Sequence, residues 1–382
     1  MAERRRTVRQ WRQGGASVLI TLIHAEGSSY RRPGAHLLVG PDGQCAGSIS
    51  GGCLEAEVVR KAEWIVRAGA VVERYSTLFD DTAEIPYGLG CGGVVDLLLE
   101  PVETAECRAL LAAIEASLSG VEARVATWLP GQGRRLARAI FAADGSVIFA
   151  SEGLSAAEVE AVRAACAAED VSAGILAHAE RVPATERLYV ERLTPPQRLF
   201  VLGAGGDAKP VVTMAALLRW RVTVADGRAQ MARAERFPEA ERVVAASSIA
   251  DLGVRAADAV VLMTHSYEQD RALLTGLLGE SEVPGYIGLL GASHRSSLLL
   301  AEAASALGVS VAECCDRVWA PVGLDLGGDG AEAIALAIIA EVQAWREGRL
   351  AALRRLTAEK VAEHIAEGGA SRYLQTQCAL GQ

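Results

Sequence analysis

The chain has 382 residues, about half of them hydrophobic, few aromatics and a net charge of −9. That length supplies two or three domains with real cores. The acidic balance excludes a typical nucleic-acid-binding surface, which is basic, and no apolar run reaches the ~18 residues that a membrane span needs.

Basic residues open the chain without an apolar stretch behind them, so the N-terminus does not read as a secretory signal. The expected location is the cytoplasm, where the eight cysteines at 45, 53, 91, 107, 166, 314, 315 and 378 read as thiols rather than as disulfides. None has zinc-ligand spacing. The adjacent Cys314 and Cys315 follow apolar residues and are expected to be buried near a strand.

In chain order, a basic opening helix precedes strands at 17–23, 36–39 and 45–49, a helix at 54–66 and a buried strand at 94–99. This is an α+β unit spanning 1–103. A middle stretch, 104–196, carries helices at 105–117 and 156–168 and antiparallel strands at 124–128, 138–142 and 147–149. It bears no chemical motif and reads as an extension or spacer. Pro195-Pro196 marks a boundary, since consecutive prolines continue neither element.

From 197 the pattern becomes alternating strand and helix, with strands at 198–202, 221–225, 242–244, 259–263 and 286–290 and a largely buried helix at 331–345. Such alternation predicts a parallel sheet with crossover helices. The expected fold class is therefore α/β, with the N-terminal α+β domain followed by a Rossmann-type doubly wound domain over 197–345. A charged helical tail occupies 346–382, and an isologous homodimer is the expected assembly.

The densest chemical signal is Gly47-Ser48-Ile49-Ser50-Gly51-Gly52-Cys53-Leu54-Glu55. Gly51 and Gly52 let the backbone turn and expose N–H groups, and Cys53 falls at the N-terminus of the helix that follows. There the dipole favours an anion and a thiolate. A small buried cysteine at a tight turn satisfies the same pattern. Gly90-Cys91-Gly92-Gly93 repeats the theme, with Gly92 leaving Cys91 open to a ligand. Between strands, Gly27-Ser28-Ser29-Tyr30-Arg31-Arg32-Pro33-Gly34 places Ser28 and Arg31 in a loop suited to a phosphate or carboxylate, or simply to solvent.

In the second half, Gly203-Ala204-Gly205-Gly206-Asp207-Ala208 follows a strand and opens a helix, and the next strand ends at Asp226. Gly203, Gly205 and Ala208 suit the turn, the pyrophosphate approach and the helix packing of a dinucleotide site, and Asp226 suits the ribose. Arg228 leaves room for a 2′-phosphate. His265 and Arg295 follow later strands, where doubly wound sheets place ligands; a solvated loop histidine and an ordinary helix start are the plain alternatives. No acid/base pair is evident beside the glycines.

Together these residues resemble the XdhC/CoxI family of molybdenum-cofactor maturation factors. The resemblance rests on Gly27-Ser28-Ser29 with Pro33-Gly34, Ser50-Gly51-Gly52-Cys53-Leu54-Glu55 and Gly90-Cys91-Gly92-Gly93. It continues with Gly203-Ala204-Gly205 and Asp226, Thr264-His265, Gly288-Leu289-Leu290-Gly291, and Ala320-Pro321-Val322-Gly323-Leu324-Asp325. It implies a chaperone, rather than a conventional enzyme, that binds and protects the molybdenum cofactor, as molybdopterin or its dinucleotide form. Such a chaperone supports the cofactor's sulfuration, with a cysteine desulfurase as a candidate sulfur source. It then delivers the cofactor to an apo-hydroxylase of the xanthine dehydrogenase or CO dehydrogenase type.

Cys53 or Cys91 would then be a molybdenum ligand or sulfur carrier. The chain departs from the family pattern at Gly206, where members often carry His, at Asp329-Gly330-Ala331, which replaces a Pro-Glu-Glu-like helix start, and at Ala337, which replaces a helix serine. Two other readings stay open: an NAD(P)-dependent oxidoreductase using Cys53 or His265, and a thiol redox protein pairing Cys53 with Cys91.

Overall fold

Val18, Ile20 and Leu22 alternate with Leu19, Thr21 and Ile23, and all six are buried, so the first strand must be covered on both faces. That pattern sets the layering of the first half of the chain. The computed structural model describes residues 1–27, 29–52, 54–76, 93–131, 133–168, 173–176, 187–246 and 248–350. Ser28, Cys53, Cys91, Gly92, Cys378 and the tail beyond 350 lie outside the described residues. The chain divides into two units at Pro195/Pro196.

The first unit contains α1 (Ala2–Gln13), β1 (Val18–Gly27), β2 (His36–Val39), β3 (Cys45–Gly47), α2 (Glu55–Ile65), β4 (Val71–Ser76) and β5 (Gly93–Pro101). It continues with α3 (Ala105–Leu118), β6 (Ala123–Trp128), β7 (Ala137–Ala142), β8 (Val147–Ala150), α4 (Ala156–Ala168), β9 (Ala173–Leu176) and β10 (Leu188–Leu193). The strands form two antiparallel sheets, in the orders β3-β2-β1-β5-β4 and β8-β7-β6-β10-β9. Helix α2 covers one face of the first sheet through Val58 and Ala62. On the opposite face, α1 and α3 pack with Leu19 and Leu38 of the first sheet and Val125 and Ile140 of the second.

Residues 104–196, which read as an extension or spacer with antiparallel strands, carry the second sheet within the first unit. Its strand β10 was not anticipated, because Glu191 and Arg192 break the apolar alternation. Glu191 is nonetheless only 3% exposed and lies 3.4 Å from the buried His36. Strand β3 ends at Gly47, two residues earlier than expected, because the chain leaves the sheet there to bond the start of α2.

The second unit comprises β11 (Arg198–Leu202), α5 (Ala208–Leu217), β12 (Arg221–Asp226), β13 (Arg242–Ala245), β14 (Ala259–Leu262) and α6 (Tyr267–Gly279). It is completed by β15 (Tyr286–Leu289), α7 (Ser293–Leu307), α8 (Val311–Cys315), β16 (Val318–Trp319) and α9 (Ala331–Arg346). All six strands pair in parallel, in the order β13-β12-β11-β14-β15-β16. Counted within the unit this is 3-2-1-4-5-6, the doubly wound order, with its reversal between β11 and β14.

Strand β11 shows how the sequence builds the layers. Leu199 and Val201 face the side covered by α5 and α9, while Phe200 and Leu202 face the side covered by α6 and α7. The cysteine pair corrects one expectation. It ends α8 rather than packing whole into the core: Cys314 is buried and Cys315 is exposed, being the last residue of a one-turn helix that turns outward before β16.

Candidate functional site

In an open α/β sheet, ligands bind beyond the strand C-termini where the order reverses. Here that point lies between the loops after β11 and β14. Gly203 begins the first loop with φ +124°, and a Cβ there would lie 2.4 Å from the Met263 carbonyl oxygen, so the two loops touch backbone to backbone. A Cβ on Gly205 would fall 2.4 Å from Asp207 Oδ1 and 3.2 Å from His265 Nε2. Gly206, by contrast, has nothing within 4 Å of where its Cβ would stand, which leaves the loop open to a phosphate on that side. Ala208 is fully buried at the start of α5, where a larger residue would push the helix off the sheet.

Asp226 ends β12 with its side chain 1% exposed. Its Oδ2 accepts the Ala204 N–H at 2.8 Å and Arg228 Nη2 at 2.8 Å. Its Oδ1 accepts the Arg228 N–H at 2.8 Å and Nε at 3.0 Å. Burial pushes this carboxyl's pKa up, but the guanidinium and the two backbone donors outweigh burial and hold it below the usual range.

The loop after β14 carries His265, which has φ +60°, a left-handed conformation uncommon for residues other than glycine, though His adopts it more often than most. Its Nε2 lies 3.0 Å from Asp207 Oδ2, and the imidazole is 62% exposed. Asp207 stands at the N-cap of α5 yet makes no side-chain capping bond, and its Oδ1 is buried without a partner. An acid/base pair therefore does sit beside the glycines, contrary to the reading of the sequence, where nothing links positions so far apart.

Arg295 is anchored rather than free. Its Nη2 reaches Asp270 Oδ2 at 2.7 Å and its Nη1 reaches the Leu290 carbonyl at 3.2 Å. Asp270 is fully buried and also accepts the Thr264 hydroxyl at 2.7 Å, so this network ties the loops after β14 and β15 together.

In the first unit, the glycine-rich loop is organised by Glu55, a residue to which its motif assigned no role. Glu55, in the first turn of α2, accepts the Ser48 hydroxyl at 2.8 Å, the Ile49 N–H at 3.2 Å and the Ser50 N–H at 2.9 Å on Oε1, and the Ser50 hydroxyl on Oε2. Ser50 Oγ in turn accepts the N–H groups of Gly52 and Leu54, each at 3.2 Å. The chain's own carboxylate thus takes the N–H groups of residues 49 and 50 that an external anion would use.

A carboxylate placed in a first helical turn behind a serine-rich loop is the signal that could have been read. Gly51 lies under the Tyr30 ring, and Gly52, with φ +106°, has open space around it. Arg31 is paired with Glu3 of α1. The candidate residues Ser28, Cys53, Cys91 and Gly92 lie outside the described residues. Among the described residues, no cluster of three or more His, Cys, Asp or Glu could hold a metal, and no helix is long and apolar enough to cross a membrane.

Known proteins match both units. A family model described as XdhC and CoxI matches residues 10–76, and one described as the XdhC Rossmann domain matches residues 199–342. The chain is 26% identical over 330 residues to a probable xanthine dehydrogenase subunit of Bacillus subtilis, covering 85% of this chain and 92% of that one. It is 35% identical over 97 residues to the molybdenum cofactor insertion chaperone PaoD of Escherichia coli, a match that spans 24% of this chain and 29% of PaoD. The crystal structure of a xanthine dehydrogenase from Bacillus halodurans shares the fold, with a TM-score of 0.73 at 24% identity, covering 94% of this chain and 99% of that one.

Proposed function

This chain belongs to the XdhC and CoxI family, and from that premise we propose that it is a molybdenum-cofactor chaperone serving a hydroxylase of the xanthine dehydrogenase type. The observation that carries the reading is the likeness to an insertion chaperone in a chain whose two units both match the family. The cofactor, once bound, supplies the redox and oxygen-atom chemistry of its client enzyme, and the chain holds and shields it.

The residues suit such a ligand. The Glu55-braced loop fixes the segment that leads into Cys53, whose thiolate is a soft ligand or a sulfur carrier. Separately, the open side of Gly206 and the turn at Gly203 give the second unit a loop suited to a phosphate group. Sulfuration with the help of a desulfurase, hand-over to the apo-hydroxylase and a homodimeric state are parts of the same proposal.

The test is to purify the chain from cells making the cofactor and to assay oxidised pterin fluorescence and molybdenum in wild type, Cys53→Ala and Cys91→Ala. Pterin bound by wild type and lost from either variant supports the reading and assigns that thiol to the site. Folded wild type without pterin overturns it.

The Asp207–His265 pair favours one second reading, an NAD(P)-dependent oxidoreductase, since a carboxylate-oriented imidazole is suited to moving a proton. That reading requires turnover of nicotinamide absorbance without a partner protein, lost on His265→Ala.

A further inference from the structure

A Rossmann acid reads a ribose by accepting hydrogen bonds from its two hydroxyls, which requires free lone pairs on the carboxylate. Asp226 has none to offer. A carboxylate has about four acceptor positions, and four N–H donors already fill them: Ala204 N and Arg228 Nη2 on Oδ2, and Arg228 N and Nε on Oδ1. A ribose diol would have to displace a bidentate guanidinium from a carboxylate that is 1% exposed, and charge-assisted pairs of this kind are among the stronger hydrogen bonds.

The same pairing determines what Arg228 presents outward. A guanidinium has five N–H donors in a rigid fork, and only Nε–H and one N–H of Nη2 are engaged on Asp226. The other three have no partner among the described residues, and the Arg228 side chain is 40% exposed. Because Asp226 also holds the Ala204 N–H, the fork is fixed one hydrogen bond from the glycine loop, beyond the C-terminal end of β12. The ribose of a bound dinucleotide sits at that place.

We propose that Arg228, held on Asp226, makes the second unit selective for nucleotides whose ribose carries a 2′-phosphate over those with a free ribose diol. The phosphate meets an oriented guanidinium face, whereas the diol meets a carboxylate whose acceptor positions are full. Pre-orientation by Asp226 lowers the side-chain entropy lost when the phosphate binds. This inference rests on the second unit being a nucleotide site and is independent of whether the first unit holds a pterin.

The experiment is equilibrium binding of NADPH and NADH to the full chain, followed by nicotinamide fluorescence, with 2′,5′-ADP and ADP as competitors. Wild type is expected to prefer NADPH by about tenfold or more, the effect of one bidentate phosphate contact, and to release it to 2′,5′-ADP more readily than to ADP. Arg228→Ala should bring the two dinucleotides to parity. Arg228→Lys, which keeps the charge without the fork, should fall between them, and thermal melting verifies that each variant is folded.

Equal binding of NADH and NADPH by wild type, or a preference that survives Arg228→Ala, overturns the assignment while leaving a nucleotide site in place. Binding of neither dinucleotide overturns the assignment and the nucleotide site together. Pterin retention, assayed on the same preparations, reports on the chaperone reading separately.

Discussion

The Asp207 carboxylate and the His265 imidazole meet at 3.0 Å across the point where the parallel sheet reverses its strand order, and each gives up ordinary backbone or capping geometry to do so. Asp207 stands at a helix N-cap without capping it. His265 holds φ +60°, which costs about 1–2 kcal/mol for an L-residue. A contact that exposed returns little, since surface ion pairs contribute about 0–1 kcal/mol. Strain without a matching gain in stability is characteristic of residues kept for function.

His265→Gly should therefore stabilise the fold by roughly 0.5–1 kcal/mol, because glycine adopts the left-handed conformation without penalty. An increased urea midpoint with unchanged m-value, accompanied by loss of any activity that depends on the imidazole, is the expected outcome. A lowered midpoint would show that the pair with Asp207 is structural.

Gly203 and Gly206 lie in the same loop but should differ sharply in their tolerance of alanine. At Gly203 the new Cβ would fall 2.4 Å from the Met263 carbonyl oxygen, at a φ of +124°. The change combines backbone strain of about 1–3 kcal/mol with overpacking of similar size. At Gly206 nothing lies within 4 Å, and Gly206→Ala should stay within about 1 kcal/mol of wild type. Urea denaturation of the two variants checks this, and equal losses would mean that contact between the loops does not set the requirement at Gly203.

The contrast between these glycines also shows what the sequence could and could not reveal. The doubly wound sheet was legible because each parallel strand is an apolar run between turn signals, as in Arg198–Leu202 before Gly203. Strand β10 was not, because its buried Glu191 is matched by His36 from a distant strand, and a pattern reader sees only a charge. The site divides the same way. Gly203 and Asp226 announce themselves by spacing, whereas the Asp207–His265 pair, the Arg228 fork on Asp226 and the role of Glu55 depend on which groups the fold brings together. Composition and periodicity carry no signal for that.

Arg138 and Glu100 form another such pair, this one inside the first unit. Arg138 Nη1 and Nη2 reach the two Glu100 oxygens at 2.9 and 3.0 Å, its Nε donates to Thr127 at 3.0 Å, and both side chains are 1% exposed. Arg138→Met should cost about 3–5 kcal/mol, since it strands a buried carboxylate. Arg138→Met combined with Glu100→Leu should recover much of that loss, because an apolar pair of similar volume needs no desolvated charge. The measurement is the double-mutant cycle by urea unfolding, and additive losses would sink the argument.

Glu55 gives the pH dependence. Burial pushes its carboxyl's pKa up, but the hydroxyl and N–H of Ser50, the Ser48 hydroxyl and Glu55's own N–H outweigh burial, and the folded-state value lies below the ordinary one. A depressed carboxyl pKa means that the folded state prefers the ionised form, so its contribution is fully present above the unfolded value of about 4.3. That contribution is lost as the pH falls through the lower folded value. The loop from Ser48 to Gly52 should hold its structure through the ordinary carboxylate range and loosen only at lower pH, read as amide exchange at Ile49 and Ser50. Glu55→Gln keeps the size but weakens the acceptor, so exchange at those amides should be raised at neutral pH and lose most of its acid dependence. If Glu55→Gln left both the exchange rates and their acid response unchanged, the carboxylate would not be what holds the loop. If the loop also positions Cys53 for the cofactor, the same variant should retain less pterin at neutral pH while its global unfolding free energy falls by no more than about 1–3 kcal/mol.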